Sequence, residues 1–344
     1  MRDAMTSGMP MKQNSKKAAR SGFTLVELLT VIAIIGMLSA ISITTVSTSI
    51  RTAKETQTRT TIAKIDNIIT TSYEKYQYRR VDMTIWDLDE PGKVDLTSNV
   101  PRFRAEKRLA ILRDLLRCDF PCTLQELSTV ITEGPDSGRM TPIQEAILIA
   151  TGTTPGAGGS RLSADDRIAN AELLYQVVMN GDPDTRASFS QREIGDVDGN
   201  GLNEFIDGWG NPICWMRWAP SLPESDRQPL IDSVAPHIDA GEEIDPYDAD
   251  PLDPLGVGIR LNPRDTSPDA AVVRGWFLVP YIYSFGPDGI GGLVMPDRAV
   301  LLKDPFRPAS GSDPGTRFYG APVVAGDPEE NAYKDNIDNH TLVR

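Results

Sequence analysis

The chain has 344 residues, of which 40% are hydrophobic and 24% charged. That is the balance of a folded protein, at a length that fits one elaborated domain or two small ones. Its formal net charge of −13 argues against nucleic acid and anionic lipid headgroups as partners and suits divalent cations.

Residues 1–22 carry Arg2, Lys12, Lys16, Lys17 and Arg20 against a lone acidic residue, Asp3. From Phe23 to Ile43 the one ionisable side chain is Glu27. Roughly 20 apolar residues suffice to cross a bilayer as a helix. The stretch therefore reads as a single membrane span, with the basic leader cytoplasmic and everything after Ile43 on the far side. A secretory signal would be cut behind its apolar run at a small-x-small site, and Ala40-Ile41-Ser42 fits that poorly. A carboxylate inside a span is costly and points to a function. The plainer alternative is an anchor whose Glu27 snorkels to the headgroups.

The basic leader, the Gly22-Phe23 junction and Glu27 ahead of an apolar run together resemble the N-terminus of type IV prepilins and type II secretion pseudopilins. The likeness covers about residues 20–45. It implies that a prepilin peptidase cleaves between Gly22 and Phe23 and methylates the new Phe23 amine. It also implies that Glu27 pairs with the Phe23 amine of a neighbouring subunit in a filament, since a buried carboxylate needs a partner. Loss of the leader, with its five basic and one acidic side chains, takes the net charge from −13 to −17.

Beyond the membrane the helix is expected to continue to about Tyr78. Ile62, Ile65, Ile69, Tyr73 and Tyr76 form an apolar stripe at helical spacing, predicted to pack on a sheet. Residues 81–190 read as a helical insertion. Ala105, Leu109, Leu112 and Leu116 share one face, and Thr141-Pro142-Ile143-Gln144 reads as N-cap, N1 proline and capping-box partner. A further helix opens at Ser163-Ala164-Asp165-Asp166, with Ile168, Ala171, Tyr175 and Val178 on one face, and stops at Asn180-Gly181. The Gly/Thr/Pro-rich run from Thr151 to Ser160 is expected to be a mobile loop.

Cys118 and Cys122 are close enough in sequence either to be bridged, if Pro121 bends the chain, or to remain free buried thiols like the isolated Cys214. A zinc site is not expected from His237 and His340, both predicted to lie at the surface. Strand signals come late, in Pro212–Trp218 and Arg274–Ser284. The intervening residues 219–270 are dense in Pro and Asp, with Asp245–Pro254 as the extreme, and predict a long surface excursion.

Asp196-Val197-Asp198-Gly199-Asn200-Gly201-Leu202-Asn203-Glu204-Phe205-Ile206-Asp207 has the twelve-residue pattern of a calcium loop. Asp196, Asp198, Asn200, Glu204 and Asp207 supply oxygens, Leu202 its carbonyl, and Gly201 the sharp turn. Asp in the last position departs from the usual Glu and resembles dockerin-type loops. The alternative is an acidic surface turn. Asp207-Gly208-Trp209-Gly210-Asn211-Pro212 and Tyr283-Ser284-Phe285-Gly286-Pro287-Asp288-Gly289, with Gly291-Gly292 and Asp297 behind, resemble two segments of the major pseudopilin, in family order. The second implies a calcium loop through Ser284, Asp288 and Asp297, against the simpler reading of a Pro-Asp-Gly turn.

No nucleophile elbow, phosphate loop or metal-ligating His pair is present, so no catalytic role is expected. The sequence thus predicts a pilin-like α+β fold, in which a long N-terminal helix packs on a small antiparallel sheet. Its parts are a leader (1–22), the long helix (23–80), a helical insertion (81–190) and a β-rich head with calcium-type loops (191–344). The implied role is a pseudopilin in the inner membrane with its C-terminal domain in the periplasm. Its partners would be the prepilin peptidase, like or related pilin subunits and the inner-membrane assembly platform. A pilin for adhesion, motility or DNA uptake and a membrane-tethered, calcium-dependent binding protein are the rival readings.

Overall fold

The computed structural model describes residues 23–81, 100–156, 159–181, 183–219, 250, 252–254, 257, 259–261, 272–274, 278–302, 319–320, 323 and 332–340. The leader with Gly22, His237 and residues 245–249 of the Pro/Asp-rich run lie outside them. The fold is α+β, and the chain divides into two compact units, Met1–Arg51 and Thr52–Arg344.

In the first unit the described residues form the start of helix α1 (Leu25–Glu74). No proline interrupts it, and its apolar side chains are exposed all round, from Leu25 and Val26 through Leu38 to Ile41. It is long and apolar enough to cross a membrane, with mean hydropathy 2.3 over its best window. Its hydroxyls return to the helix itself: Thr30 Oγ1 donates to Glu27 O, Ser42 Oγ to Leu38 O and Thr45 Oγ1 to Ile41 O, each at 2.9 Å. Such bonds give these three hydroxyls partners within the span.

In the second unit the predicted stripe is the buried face of α1: Ile62, Ile65, Ile69, Tyr73 and Tyr76. The helix ends in a 3-10 turn over Lys75–Tyr78. Tyr73 and Tyr76 meet Phe120 edge-on, with ring centroids 6.4 and 5.9 Å away. Each fully buried aliphatic side chain contributes about 1.5–3 kcal/mol.

Among the described residues four α-helices follow: α2 (Val100–Asp119), α3 (Leu124–Ser128), α4 (Pro142–Thr151) and α5 (Asp166–Gly181). Thr123 caps α3 and Thr141 caps α4, each by accepting a backbone N–H three residues on. The capping-box expectation for Gln144 is corrected. Its side-chain amide donates to the carbonyls of Leu127 and Thr129, both at 2.9 Å, and so ties α4 to the end of α3. Gly152, at φ 60°, closes α4 in the left-handed conformation. The following segment is held by Thr153 and Ser160, whose hydroxyls lie 2.8 Å apart.

The strands are short and antiparallel. β1 (Ile194–Gly195) pairs with β2 (Glu204–Phe205). β3 (Ile213–Met216), β6 (Tyr281–Ser284) and β7 (Ile337–Asp338) form a sheet in the order β3-β6-β7, with Cys214 opposite Tyr283 and Ser284 opposite Ile337. β4 (Ile259–Leu261) pairs with β5 (Val272–Arg274), so the Pro/Asp-rich excursion contains strand structure.

The helical region shares its core with the sheet. α5 packs on β2 and β3, where Asn170 Oδ1 accepts from Trp215 N at 2.8 Å and Asn170 Nδ2 donates to Cys122 O at 3.0 Å. Between α3 and the end of β3, Arg217 and Glu126 meet with both side chains fully buried, at 2.6 and 3.0 Å. Glu126 also accepts from the backbone of Cys122 and Leu302, and Arg217 donates to the carbonyls of Phe120 and Leu302.

One open alternative is resolved and one expectation is corrected here. Cys118 and Cys122 are free thiols rather than a bridge, and Cys214 is free as well. Cys118 lies in the last turn of α2 and accepts from Arg117 Nη2 at 3.2 Å, whereas Cys122 accepts from Arg217 N at 3.1 Å. Their sulfurs thus serve different elements. Burial pushes the Cys118 and Cys122 thiols up to about 12, which makes them unreactive. His340 is buried, not exposed, and stands edge-on to Tyr281 with ring centroids 5.5 Å apart.

Candidate functional site

At the N-terminus, Thr24 and Glu27 cap α1 reciprocally. Thr24 N and Thr24 Oγ1 donate to Glu27 Oε2 at 2.9 and 2.8 Å, and Glu27 N donates to Thr24 Oγ1 at 3.2 Å. This is a capping box, legible in Thr24-Leu25-Val26-Glu27 as a Thr with a Glu three residues on. The sequence reading weighed Glu27 as an intersubunit partner and missed this local role. Phe23 stands 74% exposed one residue ahead of the cap. A carboxylate held at a helix N-terminus also complements the helix dipole.

The acidic loop lies in the second unit. The β1–β2 register, Gly195 opposite Glu204, leaves residues 196–203 as the connection. Gly199 and Gly201 adopt φ of 76° and 84°, which side-chain-bearing residues rarely tolerate. Asp196 turns inward on the loop, accepting from Gly199 N at 2.8 Å and Gly201 N at 3.0 Å. Asp198 Oδ1 accepts from Asn200 N at 3.1 Å, and Asn200 Oδ1 accepts from Leu202 N at 2.7 Å. The Leu202 side chain is buried.

Glu204 is fully buried at the start of β2. Its Oε2 accepts from Val197 N at 2.9 Å, while its Oε1 is buried without a hydrogen-bond partner. Glu172, on α5, enters the same space. Its Oε2 accepts from Ser163 N at 2.8 Å and its Oε1 from the side-chain amide of Asn200, which also donates to Asp198 Oδ2 at 3.1 Å. Oxygens of Glu172, Asp198 and Glu204 lie within 4.8 Å of one another, the one such group among the described residues. Burial, then the charges of Glu172, Asp198 and Asp196, push Glu204 up to about 7 against the pull of Val197 N. Glu172 is raised as well, by burial first and then by Asp198 and Asp196.

Glu172 was not singled out from the sequence. Its signal was a carboxylate lodged in an apolar stripe, four residues after Ile168 and three before Tyr175. Asp207, expected as the twelfth loop ligand, faces the next turn. Its Oδ1 accepts from Trp209 N and Asn211 N, both at 2.8 Å, and its Oδ2 from Ser284 Oγ at 2.7 Å. Asp288 and Asp297 each accept a backbone N–H two residues on, at 2.8 Å, and are exposed. The two C-terminal segments are therefore bonded to each other, through Asp207 to Ser284 and through Asn211 Nδ2 to Gly286 O at 2.9 Å. Gly208 lies where α1 passes. A Cβ there would sit 2.6 Å from Lys54 O, and Gly208 N donates to Thr58 Oγ1 at 2.9 Å.

Residues 17–43 match the family model described as the prokaryotic N-terminal methylation motif. That match supports a type IV pilin-like N-terminus. The motif implies processing by a prepilin peptidase and pilin-like assembly. Neither a curated protein nor a solved structure matches the chain.

Proposed function

We propose that the chain is a structural subunit, a pseudopilin of a type II secretion pseudopilus or related type IV pilus-like filament, and not an enzyme. After cleavage between Gly22 and Phe23, the apolar half of α1 bundles with the same helix of like or related subunits, on an inner-membrane assembly platform. The head, Thr52 onward, stands on the periplasmic side. The methylation motif over residues 17–43, joined to a helix whose apolar side chains are exposed all round, carries this reading. A plain anchor needs neither the Gly22-Phe23 junction nor a carboxylate already engaged by Thr24.

Support for the secretion role over an adhesive or DNA-uptake pilus comes from the two C-terminal segments, whose resemblance to the major pseudopilin falls on residues that interlock, Asp207 with Ser284 and Asn211 with Gly286. Mass spectrometry of the native N-terminus tests membership, with a methylated Phe23 as the expected first residue. Isolation of intact filaments then tests assembly. A mature chain that starts elsewhere, or filaments lacking this chain, would refute the proposal.

A further inference from the structure

We propose that Glu172, Asp198 and Glu204 bind one divalent cation, calcium by preference, and that the ion clamps helix α5 to the β1–β2 hairpin. The site differs from the self-contained twelve-residue loop expected from the sequence. It recruits a carboxylate from a distant helix and leaves Asp207 to its own turn.

Geometry supports a shared ion. Oxygens within 4.8 Å of one another fit around a centre with bonds of about 2.3–2.6 Å, whose opposite ligands stand about 4.6–5.2 Å apart. Magnesium, at about 2.0–2.1 Å, would require the group to contract to about 4.2 Å and prefers to keep its waters. Carboxylate oxygens are hard ligands, which disfavours copper and zinc. The second observation is independent of the clustering. Glu204 is fully buried, and its Oε1, unlike its Oε2, has no hydrogen-bond partner. A buried carboxylate oxygen left without a donor is costly, and a cation among the three carboxylates would supply what it lacks. Asp198 is exposed and gives the ion a path from solvent. Loop carbonyls and water would complete the six to eight oxygens that calcium takes.

The test uses the purified full chain in detergent micelles and terbium(III) as probe, which binds calcium sites and is sensitised by nearby aromatic rings. Tyr175 stands three residues from Glu172 on α5, its hydroxyl 3.5 Å from Asn203 Nδ2 on the loop. Saturable luminescence that calcium chloride displaces is expected. Glu172→Gln and Asp198→Asn should each weaken terbium and calcium binding at least tenfold, whereas Asp297→Asn, in its own exposed turn, should titrate like the parent. Calcium should also raise the thermal midpoint of the parent over that in chelator, and Asp198→Asn, at an exposed position, should lose that rise even if Glu172→Gln fails to fold. No saturable signal, or a Glu172→Gln variant that folds and titrates like the parent, would overturn the proposal. Equal midpoints in calcium and in chelator would do the same and leave Glu204 to be satisfied by a proton instead.

Discussion

Arg217→Met tests what holds the helical layer to the sheet. Arg217 and Glu126 are both fully buried and meet at 2.6 and 3.0 Å. Removing one partner of such a pair strands a buried charge, at a cost of about 3–5 kcal/mol. The same guanidinium donates to Phe120 O at 2.6 Å and Leu302 O at 3.3 Å, and a buried group left unsatisfied costs about 1–3 kcal/mol. Against a total stability of about 5–15 kcal/mol, the single change should remove most of the lower end of that range. Glu126→Leu should cost a similar amount, because Cys122 N and Leu302 N lose their acceptor. Combining the two should fall short of the sum by about 0.5–3 kcal/mol, the coupling expected for contacting residues. The double variant should nevertheless stay well below the parent. An isolated buried pair can be exchanged for hydrocarbon at little cost, but this one also satisfies four backbone groups. Urea unfolding of the full chain in detergent micelles measures all four corners of the cycle. Tryptophan fluorescence reports locally, since the guanidinium carbon lies 4.1 Å from the Trp218 ring centroid. A loss of under about 1 kcal/mol for Arg217→Met, the size of an ordinary substitution, or a double variant as stable as the parent, would refute the reasoning.

Glu27→Val should enter the membrane at least as well as the parent, since an apolar residue replaces a costly one, yet fail to appear in isolated filaments; normal filaments would remove the pairing role. Gly208→Ala should destabilise the head by about 1–3 kcal/mol, as overpacking does, because its Cβ would meet the backbone of Lys54 at 2.6 Å; an unchanged thermal midpoint would show that the turn can shift away from α1. Burial works to raise the pKa of Glu193, but hydrogen bonds from Lys64, Ser190 and Thr61 outweigh it and hold the carboxyl below its ordinary 4.5. Its contribution is therefore present above pH 4.5 and lost as pH falls through the folded value. Glu193→Gln should flatten that acid limb of the stability profile, and superimposable limbs would count against the assignment.

The parts of the fold that follow from local rules were legible in the sequence. The α1 stripe, the Thr141 cap with Pro142 behind it, the start of α5 near Asp166 and the strand at Ile213–Met216 are all statements about neighbours three, four or two residues apart. What was not legible depends on partners far along the chain. The helices of residues 81–190 carry no mark in sequence of the sheet they cover; contacts such as Asn170 against Trp215, 45 positions on, and Arg217 against Glu126, 91 positions back, show the shared core. The Cys118–Cys122 spacing could not say which elements would claim each sulfur. His340 looked like a surface residue near the end of the chain, yet β7 carries it in beside Tyr281.

The acidic motifs show why residue type alone could not separate a metal loop from a turn. Asp, Ser, Asn and Gly suit both, because both need short oxygen-bearing side chains beside a backbone free to bend. What separates them is whether each oxygen already has a donor. Asp207 accepts from two backbone N–H groups and a hydroxyl, and Ser284 is held between Asp207 and Gly286 N. Asp288 and Asp297 close their own turns. The Asp207–Ser284 bond therefore ties the turns beside β3 and β6 together, while Asp288 and Asp297 each hold a turn of their own. Glu204 is the exception, with one oxygen bonded and the other buried without a donor, facing carboxylates from its own loop and from α5. A cation has most to gain where acceptors outnumber donors, which is why the proposed ion is assigned to Glu172, Asp198 and Glu204, while the Asp207–Ser284 contact serves the architecture of the head.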